Sequence, residues 1–394
     1  MKPLNAQMES AERLKKLPPY LFAEIDRIKR ELTAQGKDVI DLGVGDPDLP
    51  TPAFIIDALN EASRDGRNHR YALDAGMPAF RQSISRWFKK RFNGVTLDPE
   101  KEILPLIGSK EGIAHMPLAV LNPGDVSLIP DPGYPPYRSG TIFAGGVPYF
   151  MPLLEENEFL PRLDKIDAAA LKKAKLIYIN YPNNPTSAIA TKSFFEEVVE
   201  FAHKHGLLII QDAAYCEVGY EGYNAPSILE VDGAKEVAIE FHSLSKTFNM
   251  TGWRVGFAAG NPSAVALLAK VKSNVDSGIF QAIQLAAKKA LDEGEAAHRE
   301  LLKIYQKRRD LLIGGLTKMG WKAKAPKATF YCWLPVPQGF TSASLALKFL
   351  EEMSIAVTPG NGFGPGGEGY FRISLTVPDA RIEEALARIA KNHS

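Results

Sequence analysis

The residues with the densest potential chemistry lie in SLSKTFNMTGWRVG (243–256). Lys246 follows two hydroxyls, Ser243 and Ser245, and Arg254 comes a short way downstream. A lysine amine is a nucleophile only when deprotonated. Burial and nearby cations lower its pKa and make it usable for a Schiff base. The two serines and Arg254 form a set that can bind a phosphate beside that amine. A Schiff-base lysine next to a phosphate anchor is the requirement of pyridoxal 5′-phosphate (PLP).

A PLP site also needs an anion at the pyridine nitrogen, so that the ring withdraws electrons from a substrate carbanion. Asp212 ends the apolar run 207–212, and open α/β sheets bind ligands at such strand ends. Tyr215, three residues on, is placed to hydrogen-bond the ring hydroxyl oxygen. GSKEG (108–112) follows a strand-like run and opens a helix, where backbone N–H groups bind phosphate. DPGYPPY (131–137) sets Tyr134 in a stiff loop, where it can stack on a planar ring. YPNNPT (181–186) offers the Asn184 amide. Each motif alone reads equally well as a turn or a helix cap. Their joint occurrence, each at a strand end, argues for a site.

Rival chemistries fare worse. Ser243-x-x-Lys246 fits the Ser-x-x-Lys of penicillin-binding enzymes, but neither Ser-Asp-Asn nor Lys-Thr-Gly occurs. Gly43-x-Gly45 lacks the third glycine of a dinucleotide turn. His203 and His205 suit a helix C-terminus better than a metal, and no metal is expected. His115, His242 and Cys216 read as packed residues. The basic residues of 86–91 read as a solvated helix face. The glycine-rich stretch 360–367 reads as a flexible loop.

The elements that must position these residues alternate between apolar strand-like runs and helical runs, the pattern of a largely parallel sheet covered by helices. Strands are expected near 102–107, 125–129, 175–180, 207–212, 236–241 and 256–259, with helices at 80–92, 109–121 and 191–205. Residues 261–319 read as almost wholly helical, with a break near 276–278. Strands of a smaller sheet are expected at 328–335, 355–358 and 369–376, followed by a closing amphipathic helix at 379–391. This divides the chain into an N-terminal arm (1–45) packing on the smaller domain, a large domain (46–285) and a small α+β domain (286–394). The chain has 394 residues, 45% apolar and 24% charged, with a formal net charge of +1. Such a balance argues against a nucleic-acid or membrane-surface partner. Two cysteines make no disulfide framework, so a reducing cytoplasm is expected. Residues 1–10 do not read as a signal peptide, and no apolar run is long enough to span a membrane.

Together, GSKEG, DPGYPPY, YPNNPT, DAAY (212–215), SLSKTFNMTGWRVG and YFRIS (370–374) resemble the class I/II aminotransferases, over nearly the whole chain. Within them the sequence is most similar to LL-diaminopimelate aminotransferases, through LPPYLFAEI (17–25), LGVGDPD (42–48), IGSKEGIAH (107–115) and KATFY (327–331). The resemblance implies PLP fold type I, with a mostly parallel seven-stranded sheet in the large domain. It implies that Lys246 forms the Schiff base with PLP and shuttles the proton, and that Asp212 pairs with the ring nitrogen. Tyr215 and Asn184 would face the ring hydroxyl oxygen, and Tyr134 would stack on the ring. Ser109, the Lys110 backbone, Ser243, Ser245 and Arg254 would hold the phosphate. Tyr71 would reach the neighbouring subunit's phosphate in a homodimer. Arg372 would clamp the substrate α-carboxylate, with Tyr20, Gly45 and Asn184 as further substrate contacts. The implied reaction is ping-pong transamination between glutamate and tetrahydrodipicolinate. A same-fold enzyme acting on alanine, aspartate or aromatic amino acids is the alternative. NVDSG (274–278) departs from the Phe-Asn-Gly of plant-like members, and no residue there is assigned.

Overall fold

The computed structural model describes residues 9–17, 22–72 and 74–392. Its strands, in chain order, are β1 (Ile40–Asp41), β2 (Ile103–Leu106), β3 (Val126–Asp131), β4 (Val147–Pro152), β5 (Ala174–Ile179) and β6 (Leu208–Asp212). They continue with β7 (Ala238–Ser243), β8 (Gly256–Gly260), β9 (Tyr331–Pro335), β10 (Ile355–Ala356), β11 (Thr358–Pro359) and β12 (Tyr370–Ser374). Seven of them form one sheet in the order β2-β8-β7-β6-β5-β3-β4. Neighbours from β7 to β4 pair in parallel, and β8 alone runs against the rest.

The central strands are apolar almost throughout because helices cover both faces, so alternation is lost. Ile209, Ile210, Ile177, Ile239 and Phe241 are all buried. β4 went unread in the sequence. It is an edge strand with mostly part-exposed residues, and Pro148 and Pro152 interrupt its apolar pattern, as an edge tolerates. β8 approaches the start of the helix Ser109–Val120 closely. A Cβ on Gly256 would lie 2.5 Å from the His242 carbonyl and 2.9 Å from the Ser109 nitrogen, so only glycine fits there.

A second, antiparallel sheet has the order β11-β12-β9. The expected single strand over 355–358 is divided: β10 pairs in parallel with β1, while β11 turns to β12. The helix Phe22–Ala34 packs Ile28 and Leu32 against Leu350 and Ala356 of this region. The long helical stretch breaks twice. One break lies between the helices Pro262–Val275 and Gln281–Glu293, as expected. The other, unread in the sequence, is at Gly294, where a Cβ would lie 2.4 Å from the Phe248 ring. Among the described residues no helix is long and apolar enough to cross a membrane.

Candidate active site

A cavity of about 360 Å³ opens where the carboxyl ends of the parallel strands face the second sheet. Gly45, Ser109, Tyr134, Asn184, Asp212, Tyr215, Ser243, Lys246 and Arg372, separated by up to 327 positions in the chain, all line it. The strands bring them together: Tyr134 follows β3, Asn184 follows β5, Asp212 ends β6, and Ser243 ends β7.

Lys246 sits in the single helical turn Leu244–Thr247 directly after β7, and its Nζ donates to the Gly45 carbonyl at 3.1 Å. Burial lowers its pKa, against the opposing influence of Tyr331 and Asp46. Asp212 is 4% exposed. Its Oδ2 accepts from the Tyr137 hydroxyl at 2.8 Å, and its Oδ1 from the Ala214 N–H at 3.2 Å. Burial raises its pKa to about 6, although both hydrogen bonds, His242 and Lys246 favour the charge. A buried carboxylate with two neutral donors is short of a cation. A protonated pyridine nitrogen is such a cation.

The turn after β2 suits a phosphate. Gly108 has φ +75°, and a Cβ there would lie 2.4 Å from Arg254 Nη2, so the guanidinium rests against the turn. Arg254 itself adopts a left-handed φ of 55°, and its Nη1 donates to the Thr251 carbonyl at 2.9 Å. Helix-start amides, Ser109, Ser243 and a guanidinium are the donors an anion wants.

Arg372, on β12, faces the cavity from the second sheet. Its Nη1 donates to Asn184 Oδ1 at 2.6 Å and its Nη2 to the Gly43 carbonyl at 2.8 Å. Its Nε is buried with no hydrogen-bond partner among the described residues. The guanidinium lies 4.0 Å from the Tyr331 ring centroid and 4.8 Å from that of Phe363. A buried donor left open this way suits an incoming carboxylate.

Other expected residues fall elsewhere. Ser245 is buried and does not line the cavity, and the Lys110 side chain is exposed on the first turn of its helix, its expected contact being through the backbone. Tyr71 is 88% exposed and does not line this chain's cavity. Tyr20 lies outside the described residues.

The sequence reading left several neighbours without a role. Tyr137 supports Asp212, although it stands in the same motif as Tyr134. Tyr331 contacts the Tyr215 hydroxyl at 3.0 Å through its own. A Cβ on Gly45 would lie 1.8 Å from that Tyr331 oxygen. Asn180 donates to the Asp212 carbonyl at 2.6 Å and accepts from the Asn184 N–H at 2.8 Å. The stretch 360–367, expected to be a flexible loop, is two short 3₁₀ turns strapped to the Tyr134 loop. The Asp131 carboxylate accepts from the Gly366 N–H at 3.0 and 3.1 Å, and the Phe363 carbonyl from the Gly133 N–H at 2.9 Å. Its glycines permit close backbone packing: a Cβ on Gly367 would lie 2.0 Å from the Gly360 carbonyl.

This site and fold agree with what the chain is similar to. The family model "Aminotransferase class I and II" matches residues 37–389. An LL-diaminopimelate aminotransferase of Nitratidesulfovibrio vulgaris is 56% identical over 387 residues, covering 98% of this chain and 100% of that one. An LL-diaminopimelate aminotransferase of Desulforudis audaxviator is 53% identical, covering 96% of each chain. The substrate-bound structure of BacF from Bacillus subtilis superposes with a TM-score of 0.94 at 38% identity, covering 98% of each chain. The chain belongs to the class I and II aminotransferases, and it is a PLP-dependent transaminase of fold type I.

Proposed function

We propose that the protein transfers an amino group between L-glutamate and tetrahydrodipicolinate, in its ring-opened form, giving LL-diaminopimelate and 2-oxoglutarate. The full-length likeness to LL-diaminopimelate aminotransferases carries this reading. The cavity supports it by offering an anion-binding arginine on one wall and a buried lysine and carboxylate on the other.

When bound, PLP supplies an electron-withdrawing ring that stabilises negative charge at the substrate Cα. Asp212 holds a proton at the ring nitrogen through its buried carboxylate, fixed by Tyr137 and Ala214. Tyr215 and the Asn184 Nδ2 would donate to the ring hydroxyl oxygen, and Tyr134 would stack on the ring. Ser109, the Lys110 amide, Ser243 and Arg254 hold the phosphate, while Ser245, buried behind the cavity wall, does not reach it. Arg372 grips the substrate α-carboxylate as a two-pronged donor, and its Nη1 bond to Asn184 ties substrate grip to ring position. Lys246, its pKa lowered by burial, removes the Cα proton at Nζ and delivers it back. Gly45, on the cavity wall, borders the substrate. The working unit is a homodimer in which Tyr71, too exposed to serve its own cavity, reaches the partner's phosphate.

The test is a half-reaction. PLP-loaded protein is mixed separately with LL-diaminopimelate, L-glutamate, L-aspartate, L-alanine and L-phenylalanine, and the cofactor absorption is followed. Rapid conversion to the pyridoxamine form by the first two alone is expected, with none in the Lys246→Ala variant. Preferential conversion by alanine, aspartate or phenylalanine would move the substrate to those amino acids.

A further inference from the structure

Behind the Gly108–Ser109 turn lies a buried charge cluster that the reaction does not use. Lys272, in the helix Pro262–Val275, is fully buried. Its Nζ is 2.7 Å from Asp276 Oδ1 and 3.2 Å from each Glu111 oxygen. Glu111 Oε2 also accepts from the Ile107 N–H at 2.6 Å, and Asp276 Oδ1 from the Gly278 N–H at 2.8 Å. His115 Nδ1 stands 3.8 Å from Glu111 Oε1.

A fully buried lysine is costly unless paired, and this one has two carboxylates. The position of Glu111 gives the pairing a purpose. It lies in the first turn of the helix whose first residue, Ser109, lines the cavity, and its oxygen pins the amide of the residue just before the turn. A carboxylate so near an anion site would repel the anion, and Lys272 offsets one of the cluster's two carboxylate charges. Burial raises the Glu111 pKa, and Lys272 works against that rise.

We propose that Lys272 is a positioning residue for the phosphate turn: it offsets the Glu111 charge, holds that carboxylate on the Ile107 amide, and so sets the turn's affinity for the PLP phosphate. Asp276 completes the pairing and fastens the Gly278 junction to the same lysine. The inference rests on the reading that the Gly108–Ser109 turn holds the phosphate.

The experiment titrates cofactor-free protein with PLP and with pyridoxal, the same ring without phosphate, and compares the two dissociation constants. Wild type should prefer PLP strongly. Lys272→Met should shrink that preference roughly tenfold, the scale of one lost charge-assisted hydrogen bond, with pyridoxal affinity unchanged. Glu111→Ala should shrink it similarly, while Glu111→Gln, which keeps an oxygen for the Ile107 amide, should retain more of it. If Lys272→Met does not fold, the two Glu111 variants carry the test. Unchanged preference in the variants, or equal weakening of PLP and pyridoxal, overturns the role of Lys272 and leaves the turn assignment standing. A wild type that binds both ligands equally would overturn the turn assignment as well.

Discussion

Asp212 and Arg372 face the same cavity, the buried carboxyl with no cation bonded to it and the guanidinium with an open Nε. The Asp212 carboxyl has an ordinary pKa of 3.8, raised by burial to about 6 in the fold. Between those values the cofactor-free folded chain binds more protons than the unfolded chain. Its stabilising protonation is therefore complete below the lower value and is lost as pH rises through the upper one. Thermal melts of cofactor-free protein should show stability falling across that window. Asp212→Asn should lack this component, and PLP should offset it in wild type by supplying the cation. Identical pH profiles for Asp212→Asn and wild type would contradict this. For Arg372→Lys, the fork to Asn184 and the Gly43 carbonyl is replaced by a single ammonium. Amino-acid KM should rise roughly ten- to a hundredfold, more than kcat falls. An unchanged KM for every amino acid would remove Arg372 from the site.

The strand ends supply the cavity floor, and the turns supply its walls. The Tyr134 loop is held by the strap of 360–367 through Asp131 and the Gly133 N–H, so two segments more than two hundred residues apart act as one wall. Gly367→Ala would push a methyl to 2.0 Å from the Gly360 carbonyl. Relieving that contact must move the strap, with an expected cost of about 1–3 kcal/mol in stability. A higher substrate KM should accompany it, because Phe363 lies against Arg372. Wild-type melting and KM in this variant would show that the strap does not shape the site.

On the scale of the whole molecule, the chain's own cavity leaves Tyr71 unused. The proposed dimer gives it a place, and subunit mixing tests it. Tyr71→Ala and Lys246→Ala proteins, dissociated and reassociated together, should regain activity, because one hybrid site then has an intact lysine and a tyrosine from its neighbour. No regain in demonstrated hybrids would mean that Tyr71 works within its own subunit or not at all. The strand-order arrangement supports a site facing the second sheet, with β8 reversed so that Arg254 comes back to the Gly108 turn.

Much of the site was legible because its parts are local. Lys246 with its serines, Asp212 at the end of an apolar run and Tyr134 in a proline-stiffened loop each carry their chemistry within a few residues. The alternation of runs likewise determined the layered fold, since covered strands must be apolar and their helices amphipathic. Tertiary structure alone decided the pairings across the chain: Tyr137 on Asp212, Tyr331 against Gly45, Arg372 on Asn184, and Lys272 between Glu111 and Asp276. It also decided that 360–367 is a strap and that β10 leaves its neighbour to meet β1. Such contacts depend on where two distant segments come to rest, and a one-dimensional pattern of residue types carries no distance between them.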